Sequence, residues 1–285
     1  MVQAITVTAP AKVNLHLGIY PGRDERGYHR ADSVMIALEL ADEVTVSPAK
    51  GLEVTCEPPL DVPAEKTTIA KAAQRLADAF GVPCNAHIHL VRRIPDKSGM
   101  GSASTDSAAT LRALCQLWGL DEGDPRVLEI ARGLGADVAF FLQPVPSLLV
   151  GVGDVLREAF PPLVGMPLVL VRPEGGVSTP AAYAEFDREP SEPCDPEPLC
   201  AALRAGDADA VAAHIANNLG EVACRLEPEE RVVVDWLRAA EGVVSAQVTG
   251  SGSCVFGICE SPEAAASVAA AAEERGWWSC ATATV

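Results

Sequence analysis

The sequence predicts an α+β protein with two lobes, and the order of its hydrophobic patterns supports this fold class. Segments with strand character cluster early in the chain, whereas helical segments alternate with strands later. The length of 285 residues suits one large domain or two lobes that share an interface. We expect the lobes to divide near residue 155, with a first lobe over residues 1–155 and a second over residues 156–285.

Periodicity defines the elements of the first lobe. Alternating apolar residues predict strands over residues 5–20, 32–40, 42–48 and 86–94. Apolar residues at helical spacing predict helices over residues 67–80, 104–118 and 125–134. Gly81 and Gly119 follow the first two of these helices, where a glycine commonly ends a helix.

The second lobe is predicted to contain more helix. A run rich in proline and acidic residues predicts a loop over residues 187–198. Beyond it, the patterns predict helices over residues 199–205, 208–217 and 229–240, strands over 246–250 and 254–258, and an alanine-rich final helix over 261–276.

Composition and charge narrow the class of function. Hydrophobic residues make up 48% of the chain and charged residues 21%, as in ordinary soluble globular proteins. The formal net charge of −17 repels nucleic acid and anionic lipid, so we expect no nucleic-acid partner and no membrane partner. The chain has no apolar run of membrane-spanning length and no signal-peptide pattern, so we expect a cytoplasmic protein.

Cysteine usage supports the same location. The nine cysteines are odd in number, scattered, and contain no Cys-x-x-Cys pair. This spacing argues against a disulfide framework and against a structural zinc site. We therefore expect mostly buried thiols in a reducing cytoplasm, and no metal site made by protein side chains.

A turn rich in glycine and serine precedes the helix predicted to begin at Ser104. It matches neither the phosphate-binding loop of nucleoside triphosphatases nor the glycine motif of dinucleotide-binding folds. Small residues before a helix let an anion approach backbone N–H groups that have no partner inside the helix. The residues that fit this description are Gly99, Gly101, Ser102, Ala103 and Ser104. An ordinary capped helix after a glycine turn is the alternative.

Asp106 lies just inside the predicted helix and has two interpretations. A carboxylate beside a phosphate site can accept the proton of an attacking hydroxyl. Alternatively, an acidic residue in the first helical turn stabilises the helix dipole, which would also keep Asp106 ionised.

Lys12 and Asn14 are candidate ligand-binding residues on the first strand. Alternate residues of a strand share a face, so Lys12, Asn14 and His16 are expected to point the same way. A lysine beside an amide suits an anionic or hydroxylated ligand. The alternative is a solvated polar face of an antiparallel sheet.

Two further motifs have open interpretations. Tyr28 and His29 place two rings side by side, which suits recognition of a base but also an ordinary turn. Residues 248–257 read as strand, glycine turn and strand, so the turn either lets a ligand approach the backbone or is a plain hairpin turn.

Taken together and in this order, the motifs PAKVNLHLG, IPDKSGMGSASTDSAA and VTGSGSCVFG resemble those of the GHMP small-molecule kinase superfamily. The likeness is greatest to members that act on a CDP-linked methylerythritol, through GRDERGYHRADS, GADVAFFL and GVSTPAAY. The resemblance implies a two-lobed fold, with an N-terminal lobe like domain 2 of ribosomal protein S5 and a C-terminal ferredoxin-like α/β lobe. It also implies an active site in the cleft between the lobes.

The resemblance implies transfer of the γ-phosphate of ATP, with Mg²⁺, to a hydroxyl of a small CDP-linked alcohol. Asp106 matches the catalytic base, Lys12 the lysine that orients the hydroxyl, and Asn14 a neighbouring substrate contact. Tyr28 and His29 match residues that hold the cytidine, and Tyr183 matches a ring that stacks on cytosine. The matching ATP-binding loop comprises Pro95, Lys97, Ser98, Gly99, Met100, Gly101, Ser102, Ala103, Ser104 and Thr105. A monomer or a homodimer fits this family.

The loop departs from the family pattern, which usually has glycine where this chain has Lys97, Ser102 and Ala103. A side chain costs energy at any of these positions whose backbone requires a positive φ. Two alternative functions stay open from the sequence. One is a GHMP kinase for mevalonate, homoserine, a sugar or another alcohol. The other is a non-catalytic nucleotide sensor with the same fold, although the presence of both Lys12 and Asp106 weighs against it.

Overall fold

The computed structural model describes residues 4–25, 27–59 and 62–285, and within them it confirms the α+β class. Strands and helices are numbered separately in chain order. The strands are β1 Ile5–Ile19, β2 Ala31–Ser47, β3 Leu52–Glu57, β4 Ala86–Val91, β5 Ser147–Val150, β6 Val155–Ala159, β7 Pro167–Arg172, β8 Ala216–Asn217, β9 Val243–Val248, β10 Val255–Cys259 and β11 Trp278–Ala283. The helices are α1 Thr68–Phe80, α2 Ser102–Trp118, α3 Pro125–Leu134, α4 Val138–Leu142, α5 Thr179–Phe186, α6 Glu197–Ala205, α7 Ala208–Ala213, α8 Asn218–Leu226, α9 Pro228–Ala239 and α10 Pro262–Glu273.

The chain divides into two compact units that interleave along the sequence. The first comprises Met1–Ala11, Leu40–Asp96 and Gly101–Pro144, and the second comprises Lys12–Glu39, Lys97–Met100 and Val145–Val285. β1 and β2 therefore each contribute residues to both units. The single boundary near residue 155 that we predicted from the sequence stays a prediction.

The first unit packs helices on a short mixed sheet. β3 is parallel to β4, and β4 is antiparallel to the second half of β2, with Val44 opposite Leu90 and Val46 opposite Ile88. α1 contacts α2 and α3, and α4 contacts α2 and α3. The buried face of α1 is formed by Ile69, Leu76 and four alanines, whose small side chains let α2 pack closely.

The ends of α1 follow from local chemistry. The side chain of Thr67 accepts a hydrogen bond from the N–H of Ala70, which satisfies one of the free donors at the start of the helix. Gly81 ends the helix with φ of 66°, a left-handed conformation in which glycine has no steric penalty.

The second unit contains a four-stranded antiparallel sheet in the order β11-β7-β10-β9. β9 and β10 form the hairpin predicted from the sequence, with Val248 opposite Val255. α9 and α10 pack on this sheet, and α5 packs on α8. The buried core of this layer includes Val169, Phe186 and Leu237.

Several predicted elements have different bounds in the structure, and for four of them the difference has a local cause. The two strands predicted over 32–48 are one continuous strand, because no glycine or proline interrupts residues 31–47. α2 begins at Ser102, two positions before the predicted Ser104, because Gly101 caps it with φ of 80°. The helix predicted over 208–217 ends at Ala213, because Asn217 instead caps α8 through its bond from the N–H of Gly220.

Two further expectations concern cysteines and membranes. All nine cysteines lie in described segments, and each is unpaired. Five of them are buried, in line with the sequence-based expectation of mostly buried thiols. Every helix in the described part of the chain is too short or too polar to span a bilayer.

Glu230 is a charged side chain in the interior of the second unit. It lies on α9 with none of its surface exposed, and neither carboxyl oxygen has a hydrogen-bond partner among the described residues. A Cβ atom placed on Gly252 would lie 2.5 Å from both oxygens, so the carboxyl group packs directly on that glycine. Burial and the nearby charge of Glu227 raise the pKa of Glu230 to about 8.

We predict that Glu230→Gln raises stability in a pH-dependent way. The folded protein holds a proton on Glu230 that the unfolded chain releases, so wild-type stability falls as the pH rises from the ordinary pKa of 4.5 to about 8. In that window the free energy of unfolding of the wild type should fall, relative to the variant, by up to about 1.4 kcal/mol per pH unit. Urea denaturation at several pH values measures the difference.

The matched control is Glu273→Gln, which changes an exposed glutamate on α10. Its unfolding free energy should follow that of the wild type at every pH. A constant difference between wild type and Glu230→Gln across the whole pH range would contradict the predicted role of burial.

Candidate active site

The glycine-containing segment Lys97–Met100 is fixed by backbone hydrogen bonds within the second unit. The N–H of Lys12 on β1 donates to the carbonyl oxygen of Met100 at 3.0 Å. In the turn between β9 and β10, the N–H of Cys254 donates to the carbonyl oxygen of Ser98 at 3.1 Å. The N–H of Ser253 donates to the carbonyl oxygen of Lys97 at 3.4 Å. These contacts connect all three motifs that the sequence analysis had found separately.

The glycines at this junction are required by close packing of backbone on backbone. Gly99 has φ of 75°, and a Cβ atom there would lie 2.2 Å from the carbonyl oxygen of Thr249. Gly250 has φ of 61°, and a Cβ atom there would lie 3.3 Å from Gly99. The glycine turn at 248–257 is thus explained by packing against the loop. Whether a ligand also approaches it stays a prediction.

The departure at Lys97 falls on a strained position. Lys97 has φ of 52°, in the left-handed region where a side chain is disfavoured. Ser102 and Ala103, the other two departures, are the first residues of α2 and have ordinary helical backbone. Of the three residues that stand where the family usually has glycine, only Lys97 therefore costs conformational energy.

The start of α2 retains the features predicted for an anion site. Ser104 and Thr105 donate their N–H groups to the carbonyl oxygen of Gly101 at 3.0 and 2.8 Å. The N–H groups of Ser102 and Ala103 come first in the helix and have no partner four residues back. Ala103 is exposed, and Ser104 is partly exposed. The helix end is thus open to a ligand, and phosphate binding there stays a prediction.

Asp106 differs from the sequence-based expectation in its position, and its surroundings oppose ionisation. It lies in the second turn of α2, and no acidic residue occupies the first turn, so the interpretation as a dipole-stabilising residue is wrong. Only 4% of Asp106 is exposed. Burial, together with the charge of Asp42, raises the pKa of Asp106 well above its ordinary value. Both effects oppose the ionised form that the helix dipole was expected to favour.

Asp42 is a neighbour that the sequence analysis missed. It lies on β2, and its side chain is fully buried. Its Oδ1 atom accepts hydrogen bonds from the N–H groups of Arg93 and Ile94, the latter at 2.8 Å. A signal was present in the sequence, because Asp42 shares the strand face of Val44 and Val46, which are both buried.

Lys12 and Asn14 form the centre of a buried polar network in the second unit. Each is only 3% exposed, so the alternative of a solvated polar face is wrong. The Nζ of Lys12 donates to Oδ1 of Asn14 at 2.5 Å, and Nδ2 of Asn14 donates to Oγ of Ser33 at 2.9 Å. The N–H of Asn14 donates to Oγ1 of Thr249 at 3.1 Å. Ser33 and Thr249 had not been predicted.

His16, the third polar residue of this strand, is 1% exposed, and burial lowers its pKa. Gln247 on β9 donates through Nε2 to the carbonyl oxygens of Asn14 and Leu15, each at 3.1 Å. A side-chain amide thus replaces backbone pairing beside β1. The strand is held in place at the residue that orients Lys12.

The predicted base-binding residues His29 and Tyr183 are brought together in the second unit. Their rings stack with centroids 5.5 Å apart and an interplanar angle of 23°. Nδ1 of His29 lies 3.0 Å from the carbonyl oxygen of Tyr20, and Nε2 lies 2.9 Å from Oδ1 of Asp187. Tyr28 is 59% exposed, so its ring is accessible to a ligand.

Asp187 connects this pair of rings to the cation Arg23, and neither Asp187 nor Arg23 had been predicted as a site residue. Its carboxylate forms an ion pair with Arg23, and its Oδ1 lies 2.9 Å from Nε2 of His29. Its hydrogen bond from Arg23 lowers the pKa of Asp187 below its ordinary value. The anionic Asp187 therefore helps to fix the orientation of the His29 ring.

The described residues contain no group of three or more His, Cys, Asp or Glu side chains arranged to hold a metal ion. The polar groups at the start of α2 are backbone N–H groups and hydroxyls, which bind anions through hydrogen bonds. These donors fit a nucleotide that carries its own cation better than a metal ion held by protein side chains alone.

Family models match both halves of the chain. The model described as GHMP kinases N terminal domain matches residues 67–143, and the one described as GHMP kinases C terminal matches residues 199–276. The chain is 38% identical to a 4-diphosphocytidyl-2-C-methyl-D-erythritol kinase of Streptomyces avermitilis, over 99% of this chain and 96% of that protein. It is 39% identical to the protein of the same name from Kineococcus radiotolerans, over 92% and 83% of the two chains.

Solved structures agree in fold. A crystal structure of a 4-(cytidine 5'-diphospho)-2C-methyl-D-erythritol kinase superposes with a TM-score of 0.82 at 34% identity, covering 98% of this chain and 99% of the other. A homoserine kinase from Cytophaga hutchinsonii has the same fold, with a TM-score of 0.74 at 22% identity over 100% and 95% of the two chains. The chain therefore belongs to the GHMP kinase family, as its three motifs predicted.

Proposed function

We propose that this chain is an ATP-dependent kinase that phosphorylates the 2-hydroxyl of 4-diphosphocytidyl-2-C-methyl-D-erythritol in the non-mevalonate pathway of isoprenoid precursors. One observation carries the proposal, which is the likeness to kinases of that name over nearly the whole chain. The buried Lys12 and Asp106, and the stacked pair of His29 and Tyr183, support it.

The proposed reaction needs positioning and charge neutralisation more than covalent catalysis. The hydroxyl oxygen of the acceptor attacks the γ-phosphorus of ATP, the bond from that phosphorus to the bridging oxygen of ADP breaks, and the hydroxyl proton passes to Asp106. Lys12, held by Asn14, orients the hydroxyl and stabilises the developing charge.

The ATP phosphates are proposed to bind the backbone from Pro95 to Thr105, with Gly99 and Gly101 giving close access and the first N–H groups of α2 binding oxygens. Mg²⁺ would enter with the nucleotide. Phosphate oxygens and water supply most of its ligands, because the described residues offer no cluster of metal-binding side chains. We place the reaction in the cytoplasm.

Recognition of the acceptor is proposed to depend on its cytosine. Tyr28 offers an exposed ring, and Tyr183 packs beside His29, whose orientation is fixed by Asp187. Stacking surfaces of this kind suit a flat base. Mevalonate and homoserine are acyclic, and the ring of galactose is neither flat nor aromatic, so none of the three offers a base that could stack on this surface.

We predict that the purified protein with Mg-ATP phosphorylates the CDP-linked acceptor in preference to mevalonate, homoserine and galactose. The measurement is ADP release for each acceptor, with the product located by phosphorus NMR. Activity on one of the other three acceptors alone would refute the substrate while leaving the family assignment in place.

A variant of Tyr183 provides the matched control for this panel. Tyr183→Leu keeps an apolar side chain against the core but removes the ring, so KM for the CDP-linked acceptor should rise about tenfold, as expected for loss of base stacking. KM for ATP should stay at the wild-type value, and Tyr183→Phe should restore acceptor binding. An equal rise of both KM values would argue against a contact with cytosine.

We predict that Asp106→Asn lowers kcat by a factor of about 100 or more, because an amide cannot accept the proton of the hydroxyl. Affinity for ATP, measured by calorimetry, should be nearly unchanged. Asp78→Asn, which alters an exposed carboxylate on α1, is the control and should keep wild-type kcat. A kcat for Asp106→Asn close to that of the wild type would remove Asp106 as the base.

A further inference from the structure

The buried carboxyl group of Glu230 packs against the turn at 249–253 in the second unit. Glu230 projects from α9, and none of its surface is exposed. A Cβ atom placed on Gly252 would lie 2.5 Å from both of its carboxyl oxygens, a distance that real Cβ atoms do not reach. The oxygens therefore contact the backbone of Gly252 directly, and the position of the turn depends on what this carboxyl group requires.

The turn at 249–253 is the one that holds the segment Lys97–Met100 in place. The N–H of Gly252 closes the turn by donating to the carbonyl oxygen of Thr249 at 3.1 Å. The next two N–H groups of the chain, those of Ser253 and Cys254, donate to carbonyl oxygens of the segment. A shift of Gly252 would therefore pass directly to the two hydrogen bonds that fix the glycine-containing loop.

Glu230 has to be neutral in this arrangement. Neither of its carboxyl oxygens accepts a hydrogen bond from any described residue. A buried carboxylate without donors is much less stable than the neutral acid, so the group holds a proton in the folded protein. In agreement with this geometry, burial and the nearby charge of Glu227 raise the pKa of Glu230 to about 8. Loss of the proton leaves a bare charge against the backbone of the turn, and that charge favours a displaced turn that admits water.

The charged and titratable groups around Glu230 do not compensate it. Glu227, which precedes α9, carries the same sign of charge. The thiols of Cys224 on α8 and Cys254 after the turn lie within electrostatic range, and burial raises the pKa of each above its ordinary value. The cation of this cluster is Arg172 at the end of β7, whose Nε donates at 2.8 Å to a serine hydroxyl of the turn. The cation thus stabilises the turn, and the carboxyl group stays unpaired among the described residues.

We propose that Glu230 is a pH-sensitive positioning residue for the phosphate-binding loop: while protonated it supports the turn at 249–253 against Lys97–Met100, and its ionisation displaces that turn. The proposal rests on the proposed binding of the ATP phosphates to this loop. Because its side chain is fully buried, Glu230 does not touch the nucleotide and acts only through the backbone of the turn. The loop therefore has its binding geometry at neutral pH and loses it as the pH rises through 8.

Calorimetric binding of a non-hydrolysable ATP analogue with Mg²⁺ at pH 7 and pH 9 measures this coupling. When only the protonated form binds, the apparent Kd equals the intrinsic Kd divided by the protonated fraction, so Kd of the wild type should rise about tenfold between these pH values. Glu230→Gln keeps the shape of the side chain and stays neutral, so its Kd should change much less. Glu273→Gln, the exposed control on α10, should show the same rise as the wild type.

Hydrogen exchange without nucleotide separates this proposal from the proposed function. Peptides that cover residues 97–100 and 252–254 are compared between wild type and Glu230→Gln at each pH, so that the intrinsic pH dependence of exchange cancels. The wild type should exchange faster than the variant at pH 9 and at a similar rate at pH 7. Peptides from α10 control for global unfolding and should show no such difference. Failure to bind the ATP analogue at pH 7 would refute the phosphate site and leave this comparison valid.

Glu230→Leu keeps the test open if Glu230→Gln does not fold. Leucine is apolar and neutral at every pH, so the Kd of this variant should also change little between pH 7 and pH 9. An equal rise of Kd in the wild type and in a neutral variant would overturn the proposal. So would exchange of residues 97–100 and 252–254 that does not depend on the side chain at position 230, which would leave Glu230 an influence on global stability alone.

Discussion

The backbone junction between Lys97–Met100, β1 and the turn after β9 is the constraint on which the rest of the site depends. The N–H groups of Lys12 and Cys254 hold this segment from two sides. A Cβ atom on Gly99 would lie only 2.2 Å from the carbonyl oxygen of Thr249, so any other residue there would force the two backbones apart. The same hydrogen-bonded strand carries the Lys12 side chain. The same backbone contacts therefore set both the geometry of the loop and the position of Lys12.

Polar groups are buried in both units, and they are stabilised to different degrees. Lys12 and Asn14 belong to a network in which the side-chain amide both donates and accepts. Asp42 is stabilised by two backbone N–H groups. For Asp106, burial and the charge of Asp42 raise the pKa. Glu230 has no hydrogen-bond partner among the described residues and stays protonated over most of the neutral range. The buried carboxyl groups thus differ in how many hydrogen bonds stabilise their ionised form. The pKa is raised most for the groups that accept the fewest hydrogen bonds.

Local patterns predicted much of the fold. Helices α1, α3 and α10 follow from their periodicity, a capping side chain and, for α1, a terminal glycine, all of which act within a few residues. Contacts between distant segments could not be predicted in this way. Thr249 and Gly99 are 150 positions apart, and nothing local to either one indicates the other. The place of Asp42 on the strand face of Val44 and Val46 indicates that it is buried, but a single acidic residue in a strand does not reveal its neighbour on α2. The direction of the pKa of Asp106 could not be predicted either, because it depends on burial and on that neighbour.

A structure of the protein with a non-hydrolysable ATP analogue and the CDP-linked acceptor tests the proposed chemistry most directly. The expected result is a triphosphate bound to the backbone N–H groups at the start of α2, with the 2-hydroxyl of the acceptor hydrogen-bonded to the carboxyl group of Asp106. A triphosphate bound away from the start of α2, or an acceptor hydroxyl out of hydrogen-bond reach of Asp106, would contradict it.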